Sequence, residues 1–377
     1  MAEGLTTLIT RWTAGGILDE ETASRIQTFE LERAGSTRLR WPMWVALAFG
    51  ALMLGAGVLL FVSAHWDMLS PQERFGLVML LVAVFHLAGA SVAERFRGMA
   101  TSLHAVGTVA LGAGIFLAGQ IFNLSGHWPG SLMLWALGAA IGWALLRDGP
   151  QMALAALLAP AWLTSEWLVA GDTRFYAAGW HVAACGSFLL ALTYFTARRD
   201  ELTTLQRQAL LWLGGISLLP AALSLALATS RFSNFGVPAP MPLSMNLQMV
   251  GWTVALGLPV TVAVALRRLA AWPNLLAVLW VLALINLPSS GIHLYLWWAL
   301  GATALAWWGC SEMRSERINM GAAIFACTVL SFYFSQVMDK LGRSASLVGL
   351  GILFLVGGWA LNRVRRNLVL QTRGGQA

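Results

Sequence analysis

Residues 41–67 read WPMWVALAFGALMLGAGVLLFVSAHWD. From Met43 to Ala64 there is no charged residue. Roughly 20 apolar residues cross the hydrocarbon layer as a helix, at about 1.5 Å per residue. The run stops at His65-Trp66-Asp67, which puts an imidazole, an interfacial indole and a carboxylate in a row. Downstream the same pattern repeats, an apolar span and then a short polar turn. Upstream lies a small polar unit of another kind.

Composition supports this reading. Charged residues make up 11% of the chain and hydrophobic ones 58%, whereas soluble domains carry about 25% charged residues. So little charge cannot surface a water-soluble protein of this length, so the partner it demands is the lipid bilayer. The 19 tryptophans suit membrane interfaces, where an apolar ring with a polar N–H is favoured. The net charge of +7 fits short cytoplasmic loops. No clustered basic surface of the kind that binds nucleic acid is legible. Cys185, Cys310 and Cys327 sit in or beside apolar spans and form no CxxC pair, so they read as packing residues. The first forty residues lack the apolar core of a cleavable signal.

Residues 1–40 read as a cytoplasmic helical hairpin. Leu5, Leu8, Ile9 and Trp12 recur at helical spacing. Gly15-Gly16 ends that helix, and Asp19 caps the next, with Glu20 and Glu21 in its first turn. Ile17, Ala23, Ile26 and Phe29 then form an apolar side. A unit of about 35 residues is below the size that folds alone, so it docks either on the membrane domain or on a partner protein.

Twelve apolar segments follow, near 42–64, 75–93, 100–122, 130–146, 151–169, 176–197, 207–228, 247–266, 272–287, 292–309, 318–338 and 345–362. With a cytoplasmic N-terminus, 19 of the 24 basic residues fall on the inner side and five (Arg74, Arg174, Arg231, Lys340 and Arg343) on the outer. That asymmetry obeys the positive-inside rule and supports an even count with both termini inside. The expected fold is an all-α polytopic membrane bundle of about 12 transmembrane helices. The hairpin occupies 1–40, the bundle 41–366 and a cytoplasmic tail 367–377. Small residues such as Ala46 and Gly50, or Ala110, Gly114 and Ala118, give helices in lipid their close approach. Residues 141–147 and 357–363 echo one another weakly, and interfacial chemistry alone can produce such an echo.

Polar residues are few. On this topology His65, Asp67, Gln120, Asn123, His127, Glu166, His181 and His293 fall near the outer ends of their spans. Imidazoles beside carboxylates can bind ligands or move protons, and sparse ionisable groups in spans tend to be functional. The alternative is that they face water and headgroups separately. His86 lies near mid-depth in the second span and His104 nearer the cytoplasmic end of the third. A neutral histidine bonded to a neighbouring helix accounts for such residues, and no mid-membrane carboxylate completes a proton relay. Phosphate-loop, HExxH zinc and GxSxG signatures are absent. No cofactor or metal is implied.

Three stretches together resemble a known family. They are Trp12, Gly15-Gly16-Ile17, Glu21, Ala23 and Ile26; Phe61 to Asp67 with Leu69-Ser70; and the tail Ser344–Asn367 with Arg363, Arg365 and Arg366. The chain is similar to bacterial predicted membrane proteins grouped as a domain of unknown function (number two-one-five-seven), most strongly over residues 1–150. The resemblance implies a bacterial inner (cytoplasmic) membrane protein and carries no activity or site residues. Read from the residues, the first expectation is transport or lipid handling through the bundle, not catalysis. The alternatives are a scaffold recruiting a partner through residues 1–40, and a transferase acting on a lipid-linked substrate at the outer face.

Overall fold

The computed structural model describes residues 15–38, 69–122, 127–171, 179–197, 205–229, 244–288 and 291–337. It adds single positions at 9, 12, 13, 49, 50, 53, 349, 351, 355 and 357. The expected first span, most of the last, and His65, Asp67 and Asn123 lie outside the described residues. Among the described residues every regular element is helical. The chain divides into two units, Met1–Ser125 and Gly126–Ala377.

In the first unit Gly16 adopts φ +68°, the left-handed conformation that glycine reaches without a Cβ penalty. Ile17 N–H returns to Trp12 O at 2.9 Å and Gly16 N–H to Thr13 O at 3.1 Å, which satisfies the last carbonyls of the turn. Asp19 Oδ2 then accepts from Thr22 N–H at 3.3 Å and starts α1, Glu20–Arg38. Its apolar side holds buried Ala23 and half-buried Ile26. Ile17 falls in the turn, not on the helix, and is exposed, as is Phe29.

Helix α2, Pro71–Val92, begins four residues before the expected span. Ser70 and Glu73 form a reciprocal capping box there, and Pro71 occupies the first turn. Pro is favoured at that position because its missing N–H would have no partner. Helix α3, Arg97–Ile121, packs against α2. Its buried seam runs through Ala100, His104, Gly107 and Gly114. Gly114 was expected in a small-residue stripe, but Ala110 and Ala118 are only half-buried. A Cβ on Gly114 would stand 2.9 Å from Val78 Cγ1.

The second unit contains α4 (Pro129–Leu146), α5 (Gly149–Ala170), α6 (Gly179–Phe195), α7 (Leu205–Thr229) and α8 (Met245–Arg267). A 3-10 turn (Arg268–Ala271) leads into α9 (Trp272–Asn286), followed by α10 (Ile292–Ser311), α11 (Ser315–Phe332) and a π-helical turn, Tyr333–Val337. Antiparallel pairs α4–α5, α6–α7 and α10–α11 form through short connections. Helix α6 is the hub and touches α5, α7, α8 and α9. From Phe188 to Phe195 every residue is buried, as befits a helix that is apolar all round. Gly214 lets α7 meet α6 backbone to backbone, since a Cβ there would lie 2.1 Å from Phe195 N. Trp280 and Trp297 pin α9 to α10, each indole N–H donating to the other residue's carbonyl, at 3.2 and 3.1 Å.

Seven helical segments among the described residues are long and apolar enough to cross a membrane, one of them the 42-residue stretch Met245–Asn286 that contains α8 and α9. Their apolar windows are only 11–33% buried. Leu87, Leu145, Trp212, Ile216 and Leu279 all point outward. Helices this apolar and this exposed need hydrocarbon around them, so the chain is membrane-embedded.

Candidate functional site

Glu166 sits in the last turn of α5. Its Oε1 accepts from Trp162 Nε1–H, one turn earlier, at 2.8 Å. Its Oε2 meets Nε2 of His127 at 2.5 Å. His127 precedes α4, where Trp128 and Pro129 start the helix. Helices α4 and α5 run antiparallel, so the start of one and the end of the other coincide, and residues 39 apart in sequence meet. The imidazole is 53% exposed and the carboxylate 33%, so the pair stands at a surface.

Beneath it lies an apolar groove between α5, α6 and α8 with a cavity of about 260 Å³. Glu166, Leu163, Val182, Gly186, Leu247 and Val254 are among its lining residues, and Thr164 and Ser187 add hydroxyls. Local sequence explains the opening. Pro160 in α5 and Pro259 in α8 both line it, and a proline inside a helix removes one backbone hydrogen bond. The carbonyl freed by Pro160, that of Ala156, instead accepts from Tyr194 Oη at 3.1 Å. Trp167 closes one end: its Nε1–H donates to Gly179 O at 2.7 Å. Gly251 makes room for its ring, which a Cβ there would meet at 2.3 Å.

Among the described residues of the expected outer-face group, only His127 and Glu166 are joined. His181 occupies the first turn of α6, half-buried, and His293 the first turn of α10, exposed. Gln120 ends α3 in the other unit. Among the described residues no group of three or more His, Cys, Asp or Glu gathers to hold a metal ion. His86 and His104 do meet. Their Nδ1 atoms are 3.0 Å apart between α2 and α3.

A second polar centre was not expected. Arg267 at the end of α8 and Arg317 in the first turn of α11 are 1% and 0% exposed. Both bind Glu312, Arg267 through Nη2 to Oε1 and Arg317 through Nη1 to Oε2 at 2.8 Å. Both also donate to Thr196 O, at 2.6 and 3.4 Å, where α6 ends. Cations are favoured at that negative end of a helix. The Trp308 ring carries both guanidiniums, 5.0 and 4.7 Å from its centroid. Its Nε1–H donates to Glu312 Oε1 at 2.6 Å. Burial pushes the Glu312 carboxyl up, but the Trp308 hydrogen bond and the two guanidiniums outweigh it and hold it below the ordinary 4.5. The network continues through Thr196 Oγ1 to Asn274 Nδ2 at 3.3 Å.

The signal for both carboxylates is in the sequence, as a repeated spacing. Trp162-Leu-Thr-Ser165-Glu166 and Trp308-Gly-Cys-Ser311-Glu312 share W-x-x-S-E near the end of a helix. In each the indole N–H reaches the glutamate, and the serine hydroxyl donates back to the tryptophan carbonyl, at 2.7 and 3.0 Å.

No curated protein and no solved structure matches the chain. Residues 10–152 match the model of a family described as a predicted membrane protein of unknown function (DUF2157), and over that stretch, from before α1 into the start of α5, the chain carries that family's domain.

Proposed function

We propose that the chain is a twelve-span protein of the bacterial cytoplasmic membrane, both termini inside, and that it handles lipid. One apolar chain of a lipid lies in the α5–α6–α8 groove, and His127 and Glu166 at its mouth engage the polar head. The observation that carries this reading is the placement of an imidazole–carboxylate pair at the rim of an apolar groove on a membrane-embedded bundle. Ligand sites combine mostly apolar walls with a few oriented polar groups. The 19-to-5 distribution of basic residues supports the orientation. Residues 1–40 form the cytoplasmic hairpin that docks on the bundle or on a partner.

The test is native mass spectrometry of the detergent-purified chain, delipidated and then titrated with total bacterial phospholipid. One bound lipid is expected, lost in Leu163→Trp and Val254→Trp, which fill the groove, and weakened in Glu166→Gln. A lipid retained in both tryptophan variants overturns the reading. The same pair favours a second reading, because a carboxylate that orients an imidazole is also the arrangement of a general base. A transferase on a lipid-linked substrate would show that lipid chemically altered after incubation.

A further inference from the structure

His86 on α2 and His104 on α3 are placed by a repeated device. His86-Leu-Ala-Gly89 and His104-Ala-Val-Gly107 share one spacing on two antiparallel helices. Each ring lies against the other helix's glycine. A Cβ on Gly89 would stand 2.9 Å from His104 Cε1 and Nε2, and a Cβ on Gly107 would stand 2.9 Å from His86 Cδ2 and Nε2. The two halves are thus related by a pseudo-twofold axis, and the glycines fix the rings with Nδ1 facing Nδ1 at 3.0 Å. The ring centroids are 5.3 Å apart.

That geometry dictates the proton count. Two neutral imidazoles each carry one N–H. At hydrogen-bond distance one Nδ1 must donate and the other accept, so one ring is the Nδ1–H tautomer and the other the Nε2–H tautomer. A first added proton goes to Nε2 of the donor ring. The bond survives and becomes charge-assisted, which strengthens it. A second would have to enter at the accepting Nδ1. It would break the bond and set two imidazoliums side by side.

The charged groups on the two packed helices stand apart from the pair. Glu73 and Arg74 are at one end of the hairpin, and Glu94, Arg95 and Arg97 are at its turn. The pair lies about 10 Å along the helices from that turn, at 1.5 Å per residue. Between those ends neither helix carries another ionisable side chain.

We propose that the α2–α3 hairpin holds a one-proton binding site, in which His86 and His104 share a single excess proton within the membrane.

The experiment is 15N NMR of the full chain labelled at its histidines, in detergent micelles, as a function of pH. At neutral pH the wild type should show one Nδ1–H and one Nε2–H tautomer, with a scalar coupling between the two Nδ1 nitrogens. On acidification the pair should take up protons in two steps more than about one pH unit apart, as interacting sites do. In His86→Gln and His104→Gln the remaining ring should titrate in one step between them. Two Nε2–H tautomers without coupling, or two rings that titrate together and ignore the partner's substitution, would overturn the site. The coupling is read on the unsubstituted chain, so a variant that fails to fold leaves the proposal testable.

Discussion

Glu166 and Glu312 are held alike and used differently. Each ends a W-x-x-S-E turn, and each gives one oxygen to the indole four residues earlier. They stand at opposite ends of the second unit. Glu166 lies beside the start of α6, where Trp167 bonds Gly179, and Glu312 beside its end, where Thr196 receives the arginines. Seventeen residues of α6 put about 25 Å between them. The partner makes the difference. His127 is half-exposed and can exchange its contact for a ligand or for water. Arg267 and Arg317 are fully buried and cannot. The same local module therefore builds a surface site in one place and a structural clamp in the other.

The largest effect should come from Glu312→Gln. The amide keeps the shape but removes the carboxylate charge that pairs with both buried guanidiniums. Breaking a buried pair by removing one partner costs about 3–5 kcal/mol, and denaturant unfolding in detergent should show a loss of that order. The same clamp sets an acid limit. The Glu312 carboxyl is held below its ordinary 4.5, so its contribution is present above that value and is lost as pH falls through the lowered folded one. Thermal midpoints of the wild type should drop below about pH 4.5, and those of Glu312→Gln should lack that component. Equal losses for Glu312→Gln and Glu166→Gln would break the comparison.

The clamp also shows what was legible in the sequence. Apolar run lengths mark the helices well: ten of the twelve expected segments fall on α2 to α11, with limits displaced by a few residues. The displacements have local causes, such as the Ser70–Glu73 box that starts α2 early. Gly16 and Asp19 act as a stop and a cap, because those signals are local. Side-chain convergence is not local. Arg267 and Arg317 read as topogenic charges, since one sequence does not reveal that three helix ends meet around Glu312. Sorting polar residues by depth placed His127 and Glu166 at one level together with His181 and His293, but depth carries no azimuth. His86 and His104 were read at different depths and yet are bonded, since antiparallel neighbours bring unequal sequence offsets level.

A smaller effect separates the two indoles. Trp308→Phe keeps an aromatic ring beneath Arg267 and Arg317 and removes only the N–H bonded to Glu312. Hydrogen bonds to charged groups contribute about 1.5–3 kcal/mol, and Glu312 is 25% exposed, so unfolding should shift by the lower figure. Trp162→Phe removes the corresponding bond from a carboxylate that water reaches more readily, and should cost less.

The smallest stability effect belongs to Glu166→Gln. Exposed ion pairs are worth about 0–1 kcal/mol, and the His127 ring is more than half exposed, so unfolding should move by less than about 1 kcal/mol. Lipid retention should move much more, because the amide retains the Trp162 bond but replaces the carboxylate oxygen that meets the His127 imidazole. A variant that is stable and poor in lipid would separate binding from folding at this end of the unit, while Glu312→Gln joins them at the other. If Glu166→Gln keeps its lipid as well as its stability, the imidazole–carboxylate pair is a solvated contact, and the groove holds its occupant through apolar walls alone.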